Sequence, residues 1–171
     1  MRLKKLYSSR EVAAMTGLSA RQLQWWDSRR LFTPAVASQK TEAGGYTERR
    51  YTPFDVLELQ ALADLRGRGF SVPRLRHLLD TLRDVFRVRL YEAIGEGGPM
   101  TLYASGEQIF ARMQDGRMFN LDDPSQPLLV VGEDLVMRPV TARERKRKPA
   151  ARRVETTRSG KSSRGRRPAA E

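Results

Sequence analysis

Cysteine is absent from this chain, and histidine occurs once, as His77. The first absence excludes disulfides, thiolate metal sites, cysteine nucleophiles and thiol redox switching. The second leaves no histidine cluster for a metal and little room for a Ser-His-Asp arrangement. Glu107, Asp115, Asp122 and Asp123 come nearest to paired carboxylates, but they fall at turns and strand edges with no nucleophile or cofactor motif beside them. The expectation is a protein that is not an enzyme and needs neither cofactor nor metal. Long apolar runs are missing too. Nothing approaches the ~18–20 residues that span a bilayer, and "MRLKKLYSSR" lacks the apolar stretch of about 7–15 residues found in a signal peptide. A soluble intracellular protein with no membrane contact is expected.

What the chain has in excess is positive charge, +12 over 171 residues, and it is unevenly spread. Residues 1–85 hold 15 Lys+Arg against 9 Asp+Glu, residues 86–137 hold 4 against 8, and residues 138–171 hold 13 against 3. A basic head, an acidic middle and a very basic tail imply that only some segments meet a polyanion. The hydrophobic period divides the chain at the same places. It is helical to about Val85 and strand-like after Gly95, where "TLYASGEQIFARMQDGRMFNLDDPSQPLLVVG" breaks into the short apolar runs of a three- or four-stranded meander. Asp115-Gly116 suits a two-residue type I′ turn within it. The intervening "FRVRLYEAI" (86–94) reads as a helix continuation. Residues 138–171 carry too few apolar side chains to offset their ordering entropy and read as disordered, either a solubilising extension or a non-specific attractor of nucleic acid. Three units follow: a helical unit over 1–85, a small mixed or strand-rich module over 86–137, and a disordered Arg/Lys-rich tail over 138–171.

Within the first unit, Ser8 precedes Glu11 by three residues and Ser19 precedes Gln22 by three, two capping boxes with Gly17 between them to stop the first helix. Helix, three-residue turn and capped helix form a helix-turn-helix pattern. The second helix, residues 20–30, contains both tryptophans of the chain side by side, and neighbouring helical residues point about 100° apart. Leu23, Trp26 and Leu31 share the stripe that meets Val12 and Met15, so Trp26 belongs to the core. The opposite stripe holds Arg21, Gln22, Gln24, Trp25, Ser28 and Arg29. Guanidinium and amide groups there match guanine and adenine edges, and the Trp25 ring fits against the sugar-phosphate backbone. Packing of Trp25 on a loop or a partner subunit is the alternative.

In "LFTPAVASQKTEAGGYTERRYT" the Ala-Gly-Gly core marks a turn between Thr-, Tyr- and Val-bearing flanks, which predicts a hairpin with Lys40 at its tip and Arg49 and Arg50 on its return strand. A basic hairpin after a helix-turn-helix is a wing, whose long cations neutralise phosphates; a solvated hairpin is the plainer alternative. Thr52 caps a third helix with Pro53 at its first position, and Ser71 caps a fourth with Leu75, Leu78, Leu79 and Leu82 at helical spacing. His77 lies on the flank of those leucines and reads as structural. The fold class predicted is α+β: a winged helix-turn-helix of four helices and a β-hairpin wing, then a small strand-rich meander, then a disordered basic tail.

In "EVAAMTGLSARQLQWWD", "LFTP", "GGY…RRY" and "VLELQALADLRGRGFSVPRLRHLL", taken in that order over about residues 7–80, the chain resembles the DNA-binding domain of the mercury-resistance-regulator (MerR) family. The resemblance implies that helix 20–30 enters the major groove of double-stranded DNA, that the wing, with Lys40, Tyr46, Arg49 and Arg50, lies along flanking phosphates, and that the first aromatic of the pair faces the backbone while the second is core. The chain departs from the family where Leu23-Gln24-Trp25-Trp26 replaces Leu-Arg-Tyr-Tyr, in a longer wing with Val36 at a position that often holds arginine, and after Val85. Family activators there continue into a long dimerising helix. Here Val85 to Ile94 is all that precedes Gly95, so the resemblance leaves a homodimer open.

The function expected is a sequence-specific DNA-binding transcriptional regulator, located in the cytoplasm and on the nucleoid when bound to DNA. Residues 86–137 would serve dimerisation, a protein partner or a small-molecule effector. Tyr91, Tyr103, Phe110 and Phe119 fit either the core of that module or the lining of a pocket for such an effector. Two other readings stand beside this one: an excisionase-like architectural protein that bends DNA, and an antitoxin-like module whose acidic segment binds a partner and whose DNA binding is secondary.

Overall fold

Hydroxyl side chains start the helices. Ser8 Oγ accepts from the Glu11 N–H at 3.3 Å and Glu11 Oε2 accepts from the Ser8 N–H at 2.9 Å; the same reciprocal pair joins Ser19 to Gln22 (3.1 and 2.8 Å) and Thr52 to Asp55 (3.1 and 2.8 Å). Each box satisfies two backbone donors that a helix start leaves orphaned. The computed structural model describes residues 4–95, 97–128 and 137–142. The first boxes open α1 (Ser9–Thr16) and α2 (Ala20–Ser28), and α1 stops at Gly17, left-handed at φ 76. Further on, α3 (Pro53–Gly67) follows Thr52, and α4 (Val72–Thr81) follows Ser71. Strand β1 (Tyr7–Ser8) pairs antiparallel with β2 (Arg50–Tyr51), which ties the chain before α1 to the chain before α3.

Beyond α4 the chain differs from the helix predicted over 86–94. A π-helical turn, Leu82–Phe86, ends at Arg87 in left-handed conformation (φ 58), and only Leu90–Ala93 recoils, as a 3-10 turn. The break lets Arg89 reach back to α3, where its guanidinium meets Glu58 Oε2 at 2.8 Å, and lets Leu90 and Ala93 enter the core. Those partners lie about thirty positions away in sequence, a contact that local period does not encode.

A meander of four strands follows: β3 (Met100–Ser105), β4 (Gln108–Met113), β5 (Met118–Asn120) and β6 (Asp123–Leu128). The β4–β5 turn is not the predicted type I′. That type needs positive φ at both central residues, and only Gly116 has it (φ 86), within a three-residue loop closed by Met113 N–H to Arg117 O at 2.8 Å. The Asp115 carboxylate accepts the Arg117 N–H at 3.0 Å, which holds Asp115 on the ordinary side.

A fifth strand, β7 (Arg138–Pro139), joins the free edge of β3, giving the order β6-β5-β4-β3-β7. Residues 138–140, predicted to lie in a disordered tail, are therefore part of the fold: Val140 is fully buried and donates its N–H to Leu102 O at 2.9 Å. A strand of two residues, one of them Pro139, is too short to leave a period from which it could be read. Residues 143–171, the rest of that tail, lie outside the described residues.

One apolar cluster runs through both halves, from Val12, Leu23 and Trp26 through Tyr51, Leu59 and Leu62 to Leu90, Leu102 and Val140. The core does not stop at residue 85. Phe110 is buried and Tyr91, Tyr103 and Phe119 are half-buried, with Phe86 and Phe119 packed edge to face at 5.5 Å and Tyr91 against Phe54 at 4.6 Å.

Candidate nucleic-acid interface

The two faces of α2 separate as its period requires. Leu23 and Trp26 are buried, Trp26 with 3% of its surface exposed, whereas Trp25 is 43% exposed and Arg21, Gln22, Gln24, Ser28 and Arg29 stand in solvent beside it. These groups are close together but not equally free. The Gln22 carbonyl oxygen accepts the Ser19 N–H at 2.8 Å, so the cap occupies one of its two lone pairs and fixes the orientation of the amide. Ser28 Oγ donates to Trp25 O at 2.9 Å and presents lone pairs outward. The Arg29 guanidinium stands 5.7 Å from the centre of the Trp25 ring. Arg21 and Gln24 have no side-chain hydrogen-bond partner among the described residues.

The chain between α2 and β2 folds back on itself as an irregular hairpin. Val36 and Arg50 exchange both backbone bonds at 3.0 Å, Lys40 lies opposite Tyr46, and Thr41 to Gly45 form the turn, with Gly44 at φ 85. Side chains supplement this sparse pairing: Ser38 Oγ donates to Thr47 O at 2.7 Å and Thr47 Oγ1 accepts the Gln39 N–H at 2.8 Å. Lys40 and Tyr46 are exposed near the tip, Tyr46 at 73%. The two arginines of the return arm are engaged within the chain. Arg49 Nε donates to Asp27 Oδ2 of α2 at 2.7 Å, and Arg50 pairs with Glu48 at 2.9 Å. Arg49 is thus first a brace between hairpin and helix.

Two arginines outside the sequence-based set reach the same end of α2. Arg30 directly follows Arg29 and is exposed, and Arg76 of α4 donates to Arg29 O. The first could have been included by adjacency; the second could not, because 47 residues separate it from its partner. The assembled surface carries donors for base edges, a ring able to cover sugars, and cations for phosphates, without an acid–base pair or nucleophile among them.

Residues 7–82 match the family described as MerR HTH family regulatory protein. The matched segment contains every element of this surface, from β1 through α4, in the order in which the four sequence blocks occur. Among solved structures, a transcriptional regulator of the MerR family from Bacillus cereus is 26% identical, over 43% of this chain and 50% of that chain, with a TM-score of 0.35. The alignment spans half the length of that regulator. No curated protein matches.

Proposed function

We propose that this protein is a sequence-specific DNA-binding transcriptional regulator in which α2 enters the major groove and the basic hairpin acts as a wing along flanking phosphates. The observation that carries this reading is the division of labour between the adjacent tryptophans. An indole left 43% exposed among Arg21, Gln24 and Arg29 offers a ring to cover sugars and an N–H donor for phosphate, beside cations of the matching charge. In this reading Arg21 and Gln24 take base edges, Trp25 covers the backbone, and Lys40, Tyr46 and Arg50 hold phosphates. The MerR match over residues 7–82 supports it. Residues 86–137 would be the module through which a second copy, another protein or an effector acts.

The test compares Trp25→Ala with Trp26→Ala in thermal melts and in titrations on duplexes selected from a random pool. Trp25→Ala should abolish most specific binding with little loss of stability. Trp26→Ala should cost roughly 3–5 kcal/mol of stability, as large-to-small core changes do. If Trp25→Ala binds the selected duplex as the unaltered protein does, the interface is elsewhere. Bend angles on that duplex separate a conventional regulator from an excisionase-like architectural protein.

A further inference from the structure

Helix α2 ends in a hydrogen-bond pattern that usually calls for glycine. The Leu31 N–H donates to Trp26 O at 2.9 Å, the Arg30 N–H donates to Asp27 O at 2.9 Å, and Leu31 and Trp26 are buried in the same cluster. This Schellman arrangement puts the residue after the cap in the left-handed region, where a β-carbon is sterically penalised. The chain places Arg30 there, at φ 54. Its guanidinium is exposed and pairs with no carboxylate among the described residues, so no ion pair in that part of the chain offsets the strain.

The surroundings are as unusual as the conformation. A helix C-terminus carries the negative end of the dipole, which repels anions. Here Arg76, projecting from α4, donates through Nη2 to Arg29 O at 2.5 Å and so brings a cation onto that end. Arg29 stands over the Trp25 ring at 5.7 Å, on the exposed face. Two carboxylates close to them in the chain are already paired, Asp27 with Arg49 at 2.7 Å and Asp80, one turn along α4 from Arg76, with Arg83 at 2.8 Å. Three arginines therefore meet at the C-terminal end of α2, Arg29 and Arg30 by chain position and Arg76 through its bond to Arg29 O, and none of them pairs with a carboxylate among the described residues.

We propose that Arg29, Arg30 and Arg76 form a phosphate-binding corner at the C-terminal end of α2, gripping the DNA backbone next to the edge that α2 reads. This rests on the DNA-binding reading above and extends the interface to α4. Arg30 keeps a strained backbone because its side chain serves the ligand instead of the fold.

The experiment uses the full chain and a duplex that it selects from a random-sequence pool, titrated at 0.05 and 0.15 M salt alongside thermal melts. Arg30→Gly relieves the left-handed strain and removes the cation, so it should raise the melting temperature while weakening binding. Removing one phosphate interaction lowers the log–log salt slope by about 0.9, which amounts to about 15-fold at 0.05 M and about 5-fold at 0.15 M. Arg76→Gln retains an amide donor for the Arg29 carbonyl but no charge, and should show the same weakening with the melt unchanged. Both effects should be uniform across duplex sequences, since phosphates carry no base code. If both variants keep the affinity and salt slope of the unaltered protein, the corner is only a helix cap and the proposal is overturned. Arg21→Ala distinguishes the two levels: if it weakens binding while the corner variants do not, the corner alone falls; if it too has no effect, or no duplex is selected, the DNA-binding reading falls with it.

Discussion

Arg49 Nε lies 2.7 Å from Asp27 Oδ2, joining the return arm of the hairpin to the last turn of α2. An aspartate in the last turn of a helix opposes the dipole, so Asp27 is poorly placed for α2 alone and is explained by its partner. Both side chains are three-quarters or more withdrawn from solvent, which puts the pair between the weak exposed class and the strong buried one. Asp27→Asn and Arg49→Ala should each destabilise the fold by about 1–2 kcal/mol, with a coupling of about 1 kcal/mol in a double-mutant cycle measured by urea unfolding. Arg50→Ala, which breaks only the exposed bridge to Glu48, should leave stability within about 0.5 kcal/mol and act on the salt dependence of DNA binding instead. Strictly additive costs for Asp27 and Arg49 would show that the contact braces nothing.

That pair also marks where sequence reading ends. The capping residues of all four helices are local signals, Ser8, Ser19, Thr52 and Ser71, and each forms the predicted bond in the structure. The facing of Trp25 and Trp26 follows from a period of 3.6 and is equally local. Gln22 is legible in two ways at once, as a capping residue and as a base reader, and its one carbonyl oxygen serves the cap. Arg49–Asp27 and Arg89–Glu58 join residues 22 and 31 positions apart, so in sequence their arginines look like free surface cations. Strand β7 escapes sequence reading for a related reason: it exists because of the unpaired edge of β3, more than thirty residues earlier.

Arg89 carries the connection between α3 and the strand module. Its guanidinium meets Glu58 at 2.8 and 3.2 Å and Asp55 at 3.4 Å, and the Tyr91 N–H adds a bond to Glu58 at 3.3 Å. Both carboxylates are almost wholly buried, while Arg89 is 56% exposed, so water already screens the cation. Arg89→Met leaves two buried carboxylates without their counter-charge, and the expected loss is about 1–3 kcal/mol, discounted from the fully buried range for that exposure. Adding Glu58→Gln to the same chain should recover part of the loss. Calorimetry on the three proteins checks this, and a double variant less stable than Arg89→Met alone would contradict it.

The start of α1 should be sensitive to acid. The Lys4 ammonium, followed by the Ser8 N–H and hydroxyl, holds the Glu11 carboxyl down from an ordinary 4.5 to about 2. A carboxyl lowered on folding stabilises the folded state above its unfolded value, and that contribution disappears as pH falls through the folded one. The difference in melting temperature between the unaltered chain and Glu11→Gln should therefore be constant above about pH 5 and shrink towards zero between about pH 4.5 and 2. Asp84, Asp115 and Asp123 are also held below their usual range by Arg83, by Arg117 and by Ser125, and they cancel in this comparison because both proteins contain them. A difference that persists unchanged at pH 2 would mean that the bond from Lys4 contributes nothing to folding.

Two truncations five residues apart should behave differently. A chain ending at Ala142 loses 12 Lys+Arg against 3 Asp+Glu but no side chain of the described core. Its melting temperature should be unchanged, and its affinity for random duplex should fall, most steeply at low salt, because every phosphate left without a cation keeps its counterion on the DNA. Preference for a selected duplex over a random one should be retained or improved, since flexible cations read no bases. A chain ending at Met137 also loses β7, the backbone bond from Val140 to Leu102 and the Val140 side chain, which is fully buried. Burial of one valine is worth about 1.5–3 kcal/mol and each ladder bond about 1 kcal/mol net, so this second cut should cost roughly 2–4 kcal/mol. Melts of both chains beside titrations on the two duplexes measure the contrast. Equal melting temperatures would show that β7 adds nothing to the sheet, and a large loss of stability already at the first cut would mean that the basic segment is part of the fold.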